Sequence, residues 1–295
     1  MNILVIGSGG QVGKAVCAAA AALGHRAFGA DIKPAGQQFS IDLADPASVG
    51  QAVEASRPGL TVLCSAMTRV DGCELDPELA RKLNAEAPGA VAELCAAAGS
   101  RLVYLSTEYV FDGKNGPYSE TDPVNPISVY GRTKLEGEAR VLARLKDALS
   151  VRTTVVYSYD LGGTNFIMQL LDRHARGEEM KVPRDQFSNP TYAPELADFI
   201  LELALAGKSG VYNVVGADRM DRYEFALKAC EAFGLKTDFL KPVTTAELKQ
   251  AAPRPLNAGL KTGKLLAELG RAPAGPDEHF RTISRLLAGS GGARK

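Results

Sequence analysis

The chain of 295 residues has no tryptophan, only three histidines and five cysteines. The cysteines, Cys17, Cys64, Cys73, Cys95 and Cys230, are odd in number, and no two have CxxC spacing. Metal and redox motifs are therefore unsupported, a disulfide scaffold is excluded, and buried thiols in a reducing compartment are expected. His25, His174 and His279 are scattered without ligand spacing, so no metal is expected. There is no surplus of one charge: Lys and Arg number 34, and so do Asp and Glu. A balanced chain argues against nucleic acid or an anionic membrane as main partner, although a local basic pocket for a phosphate stays compatible with it. Long apolar runs are absent as well. Ile3-Leu4-Val5-Ile6 breaks at Gly7, too short for a secretory leader and far below the ~18 residues of a membrane span. The cytoplasm is the expected location.

What is present is ordinary globular composition, 45% hydrophobic and 23% charged. The length suits about two domains or one large α/β domain. Short apolar runs alternate with Ala/Leu-rich helical stretches through the first half. Strands are expected at 2–6, 26–31, a short one ending at Ile41-Asp42, 60–64, 101–105 and 151–157. Helices are expected at 11–23, near 46–56, near 77–98 with Asp76-Pro77 at its start, and from near Val129. Such alternation implies a parallel sheet covered on both faces. Later helices are expected near 164–176, 194–206, 222–233 and 276–288, with a strand at 210–215. The expected organisation is a dinucleotide-binding domain over 1–158, with parts of 180–214 packing on it. A smaller interleaved C-terminal lobe (159–179 and 215–288) would take the substrate, and 289–295 (GSGGARK) would be a mobile tail.

Gly7-Ser8-Gly9-Gly10-Gln11-Val12-Gly13 follows the first strand and opens the first helix. Gly7, Gly10 and Gly13 have GxxGxxG spacing. Glycine permits a tight turn, close backbone approach and helix–strand packing, and the exposed N–H groups then hold a pyrophosphate. With Gln11 and Val12 these glycines form the expected cofactor loop of a Rossmann-type, doubly wound α/β sheet. Asp31 ends the second strand, where a carboxylate accepts both ribose hydroxyls of NAD and repels a 2′-phosphate. NAD(H) is thereby favoured, and nearby Lys33 keeps NADP(H) open. Asp42-Leu43 can contact adenine, or Asp42 can cap the following helix.

Tyr130-Gly-Arg-Thr-Lys134 is a YxxxK pair, which places both side chains on one helix face. The ammonium favours phenolate, so the tyrosine can exchange a proton with a carbonyl. Ser106-Thr107 follows an apolar strand, and the carboxyl ends of such strands face the ligand crevice. The glycine loop, the strand-end threonine and YxxxK, in that order, make a specific combination.

The chain resembles the dTDP-4-dehydrorhamnose reductase family of extended short-chain dehydrogenases/reductases. The matching segments are GSGGQVG (7–13), AMTRVDGCELDPELARKLNAEAP (66–88), STEYVFDGKNGPYSETDPVNPISVYGRTKLEGE (106–138), NF (165–166), DQFSNPTYAPELA (185–197) and RPLNAGL (254–260). The resemblance implies an NAD(P)H-dependent reductase of a 4-keto sugar nucleotide with Thr107, Tyr130 and Lys134 as catalytic residues. It implies Ala66 and Thr68 at the cofactor, with Tyr130 and Lys134 also touching it. It puts Thr68, Val70, Thr107, Glu108, Tyr109, Asn165, Gln186 and Thr191 at the substrate. A homodimer stays open. The family's RTSW tryptophan is replaced by Val155, unless Tyr157, Tyr159 or Phe187 supplies the aromatic plate. Glu108 stands where Asp is usual, Lys261 where an acid is frequent, and Lys14 where a magnesium-binding glutamate of some family dimers is expected. Three alternatives are an epimerase or dehydratase on the same fold, a reductase of another carbonyl compound, and a dinucleotide-binding regulatory subunit like the beta subunit of methionine adenosyltransferase. Thr107-Glu108-Tyr109 lacks the Thr-Asp-Glu of the dehydratases.

Overall fold

The apolar run Ile3–Ile6 has no exposed surface, as a strand covered on both faces requires. A computed structural model describes residues 1–33, 38–160 and 162–290. The first half carries β1 (Asn2–Ile6), α1 (Gln11–Ala22), β2 (Arg26–Asp31), β3 (Phe39–Ser40), α2 (Pro46–Ser56) and β4 (Leu60–Leu63). It continues through α3 (Val70–Leu75), α4 (Pro77–Arg81), α5 (Ala87–Ala98), β5 (Arg101–Thr107), α6 (Val129–Arg144), β6 (Leu149–Thr153) and β7 (Val156–Tyr157). The second half carries α7 (Phe166–Arg176), β8 (Met180–Pro183), β9 (Phe187–Ser188), β10 (Thr191–Tyr192), α8 (Ala193–Leu205), β11 (Gly210–Asn213) and β12 (Met220–Asp221). It ends with α9 (Arg222–Phe233), β13 (Leu240–Val243), α10 (Thr245–Leu248), α11 (Gly263–Leu269) and α12 (Pro276–Ser290).

Seven strands form one sheet in the order β11-β6-β5-β4-β1-β2-β3. All of its pairings are parallel. This is the Rossmann-type doubly wound sheet. On one face Ile3, Val5, Val62 and Val151 pack with Val16 of α1 and with Leu196, Phe199 and Ile200 of α8. On the other, Leu4, Ile6, Leu63 and Tyr104 pack with Val53, Val91 and Val141 of α2, α5 and α6. The strand order reverses between β1 and β4, the point where such sheets open a ligand crevice.

A second core gathers Tyr157, Ile167, Leu170, Val182, Met220, Phe225, Phe280 and Ile283 from later elements. Three two-stranded sheets flank it, β10-β7, β12-β9 and β13-β8. Apart from β7, these short strands lie outside the elements expected from periodicity. Four residues or fewer do not display a period.

Several boundaries move for local reasons. The run expected as one strand over 151–157 is two strands in different sheets. The break is at Val155, which has φ +43°, a rare conformation for a β-branched residue. The third strand ends at Ser40 rather than Asp42, and β5 continues through Ser106 and Thr107. The stretch expected as one helix over 77–98 contains a π-helical turn at Lys82–Glu86. There the buried Asn84 side chain bonds both the N–H and the C=O of Met67. Asp76 caps α4 with Pro77 behind it. Of the tail expected at 289–295, residues 291–295 lie outside the described residues, and α12 reaches Ser290.

Helix α6 is tied to β6 by a buried ion pair. Glu138 accepts two bonds from Arg152, at 2.5 and 3.1 Å, and one from Ser150 Oγ at 2.9 Å. Both charged side chains are at most 5% exposed. Removing one partner strands the other charge away from water. Glu138→Ala is therefore expected to cost about 3–5 kcal/mol in urea unfolding; a loss below about 1 kcal/mol would contradict this role.

Candidate active site

Turn geometry and packing explain two of the three loop glycines. Gly7 has φ +88°, and a Cβ there would lie 2.6 Å from Ser65 N. At Gly13 a Cβ would lie 2.1 Å from Gly7 O. Gly10 meets nothing closer than 3.4 Å, so its bareness leaves room beside the loop. Gly10 caps α1 without a side-chain hydrogen bond, and the first turn has no acid. That leaves a positive helix end open to an anion.

Asp31 ends β2, the strand next to β1. Its carboxylate accepts the Gly9 N–H at 2.9 Å and the Ile32 N–H at 2.8 Å, one on each oxygen. Each oxygen keeps a lone pair for a ligand. Beside it an apolar slot of about 310 Å³ is lined by Asp42 and Leu43 together with Ile32, Ile41, Ala66 and Leu83. Asp45, not Asp42, caps α2, and Asp42 closes its own turn on the Ala44 N–H.

From the glycine loop a cleft of about 1050 Å³ runs past the carboxyl ends of β1, β4, β5 and β6. Gly7, Gly10, Gln11, Val12, Gly13, Asp31, Ala66, Thr68, Val70, Thr107, Tyr109, Tyr130, Lys134 and Asn165 all line it. Two buried hydroxyls on its wall, Ser106 Oγ and Thr153 Oγ1, have no hydrogen-bond partner among the described residues. Such groups are costly unless a ligand or water satisfies them. The open glycine loop, the slot beside Asp31 and these orphaned hydroxyls fit a nicotinamide dinucleotide.

Thr107 ends β5, where its Oγ1 accepts the Tyr109 N–H at 3.2 Å, close enough to Tyr130 to hold down the rise of that phenol's pKa. Ser128 caps α6 through the Gly131 N–H, and Glu74 accepts the Val129 N–H at 2.9 Å. These bonds fix the first turn of the helix that carries Tyr130. The Tyr109 ring meets the Tyr130 ring edge-on at 5.4 Å. One turn along, Lys134 Nζ donates to Leu105 O at 2.6 Å and sits 4.1 Å from the Tyr104 ring centre.

The electrostatics differ from the sequence expectation. Burial pushes the Tyr130 phenol up, Thr107 opposes that rise, and Tyr109, Cys73 and Glu108 add to it. Burial pulls Lys134 down to about 7, with Glu138 resisting. The lysine's bond goes to a backbone carbonyl, Leu105 O.

Three expected substrate contacts lie elsewhere. Glu108 is buried behind the cleft, where it accepts the Thr154 hydroxyl and, at 2.9 Å, the Gly259 N–H. Gln186 donates to Thr245 Oγ1 at 3.0 Å. Thr191 is buried and donates to Asn189 O at 3.0 Å. None of the three is among the described residues lining the cleft. Tyr157, Tyr159 and Phe187 are not among its lining residues either; the aromatic rings among the described lining residues are Tyr109 and Tyr130. Sequence reasoning did not foresee Arg222, Thr153, Thr154 and Asp160 on the wall. Lone polar residues outside a spaced motif carry no signal. Lys14 reaches Asp160 at 2.9 Å, and Gln11 bonds Val156 O and Ser158, so α1 is tied to the chain beyond β6.

A family model described as the RmlD substrate binding domain matches residues 1–283. The chain belongs to that family. The spore coat polysaccharide biosynthesis protein SpsK of Bacillus subtilis is 33% identical to this RmlD-family chain over 285 residues, covering 96% of it and 95% of the relative. A dTDP-4-dehydrorhamnose reductase of Burkholderia thailandensis is 34% identical over 287 residues, with 92% and 93% covered. The solved dTDP-4-dehydrorhamnose reductase of Bacillus anthracis, in complex with NADP, superimposes with a TM-score of 0.87 at 29% identity, covering 95% of this chain and 97% of that one.

Glu108 gives the site a pH signature. Burial raises its carboxyl from 4.5 to about 7, against the pull of Thr154, Gly259, Arg222 and Arg219. An acid with a raised folded value contributes stability that is complete below its unfolded value and lost as pH climbs through the folded one. The loss is on the order of 3 kcal/mol. Glu108→Gln does not titrate, so its stability relative to the unaltered chain should improve between about pH 5 and about pH 8. Urea unfolding at both pH values checks this; a constant difference would contradict it.

Proposed function

We propose that this protein is an NAD(P)H-dependent reductase of a 4-keto sugar nucleotide. One observation carries the reading: Thr107, Tyr130 and Lys134 share one wall of a cleft whose other end is an open glycine loop. The names of its full-length relatives support the substrate class. We assign dinucleotide binding to residues 1–158 with parts of 180–214 packing on them, α8 and the strand Gly210–Asn213 included, and substrate binding to the lobe of 159–179 and 215–288, whose core also takes in Tyr157 and Val182.

The nicotinamide supplies hydride when bound. The protein's part is to hold the carbonyl and deliver a proton. Thr107 hydrogen-bonds the carbonyl oxygen and polarises it. Tyr130 donates its phenolic proton to that oxygen as negative charge builds there, and its raised pKa keeps the proton in place until then. Lys134, when protonated, offsets the charge of the phenolate left behind and has donors free for a ribose hydroxyl. Asp31 favours the unphosphorylated ribose of NADH, while Lys33, which also lines the cleft, keeps NADPH acceptable.

Purified protein should oxidise NADH or NADPH only when dTDP-4-dehydrorhamnose is added. Tyr130→Phe should lower turnover by about 10²–10⁴-fold while cofactor affinity holds within a factor of a few; full turnover would remove Tyr130 from the acid role. Asp31→Ala should narrow any NADH preference in kcat/KM. An unchanged preference would place the ribose away from Asp31.

A further inference from the structure

Among the described residues, the cations on the cleft wall are Lys14, Lys33, Lys134 and Arg222. Lys14 is paired with Asp160, and Lys134 rests on the Leu105 carbonyl. Lys33 follows β2 at the Asp31 end. Arg222 begins α9 on the second core. Its guanidinium has no acid partner and no hydrogen bond among the described residues; it makes only a ring contact, 5.8 Å from the Phe166 centre. It is half-buried, so the charge has lost part of its water without a matching anion.

The surroundings place this charge on the Tyr130 side of the cleft. Arg222 is close enough to Tyr109 and Glu108 to oppose the pKa rise that burial gives both. The Tyr109 ring in turn touches that of Tyr130. The nearby acids are committed elsewhere: Glu108 to Thr154 and Gly259, and Asp71 to Arg254 at 2.9 Å. Arg219, the other cation facing Glu108, is spent on Asn257 and the Ala258 carbonyl. An unpaired planar fork of donors suits the oxygens of a phosphate better than it suits a neutral sugar.

We propose that Arg222 holds the diphosphate of the sugar-nucleotide substrate and so selects nucleotide-linked over free keto sugars. This rests on the reductase reading. The cofactor's own pyrophosphate belongs at the glycine loop, at the other end of the cleft. A diphosphate on Arg222 leaves the attached neutral sugar beside Thr107 and Tyr130, and substrate binding requires this charge whichever nucleoside is attached.

The test is calorimetric titration of the full chain, saturated with NADPH, with dTDP and with thymidine as the uncharged comparator. The unaltered protein should bind dTDP well above thymidine. Arg222→Gln should weaken dTDP by roughly 10–100-fold and leave NADPH affinity within a factor of two, with thymidine unchanged; Arg222→Lys should fall between. In turnover with the keto sugar nucleotide, Arg222→Gln should raise KM far more than it lowers kcat. Equal dTDP affinity in the unaltered protein and Arg222→Gln overturns the proposal, as does loss of NADPH binding in place of dTDP binding. So does an unaltered protein that does not prefer dTDP to thymidine. Substrate-dependent NADPH oxidation by the unaltered protein, run alongside, separates these failures from failure of the reductase reading.

Discussion

A buried lysine ammonium resting on a backbone carbonyl holds the catalytic geometry together. Lys134 is 3% exposed, and its Nζ lies on Leu105 O, two residues before Thr107. One bond therefore locks helix α6 to the end of strand β5 and sets the spacing between Tyr130 and Thr107. The contact is possible because α6 can approach closely. A Cβ at Gly137 would lie 2.1 Å from Asn84 O and 2.6 Å from Tyr104 Oη. The Tyr104 hydroxyl fills that space by donating to the carbonyls of Asn84 and Lys134. Burial that makes this packing tight also moves the Lys134 and Tyr130 pKa values in opposite directions. The proton chemistry of the site is thus a consequence of how the helix is seated.

A second constraint shapes the other wall. The chain leaves the main sheet after Thr153, turns at Val155 through a strained backbone, and enters the second core at Tyr157. The turn leaves the Thr153 hydroxyl in the cleft without a partner among the described residues, and Thr154 turned back onto Glu108. Strain of this kind, of order 1–3 kcal/mol, persists only where the surroundings over-determine it. Here the Gln11 amide on Val156 and Ser158, the Lys14–Asp160 pair and the β7–β10 pairing hold it. The glycine loop and the substrate side of the cleft are therefore coupled through α1.

The sheet was legible in the sequence because its strands are buried on both faces and read as unbroken apolar runs between helical stretches. The glycine loop and YxxxK were legible because their chemistry demands particular residues at fixed spacing. Val155 was not, since a Val-rich run gives no sign of a left-handed turn. The three misplaced contacts share one cause. Glu108, Gln186 and Thr191 sit in segments that resemble the family's, but their side chains bond inward to Gly259, Thr245 and Asn189. Segment likeness locates backbone more securely than it locates a side chain's partner. Arg222 stands alone at a helix start, and only the fold shows that it lines the cleft with no ion-pair partner among the described residues.

The central claim is hydride delivery to a sugar-nucleotide carbonyl with a proton from Tyr130. Incubation of the protein with dTDP-4-dehydrorhamnose and cofactor deuterated at the transferable nicotinamide position tests it most directly, read by mass spectrometry of the sugar nucleotide. The account predicts a product carrying one deuterium at the former carbonyl carbon, formed by the unaltered chain and all but absent with Tyr130→Phe. A sugar nucleotide recovered without deuterium, or labelled equally fast by Tyr130→Phe, would contradict it.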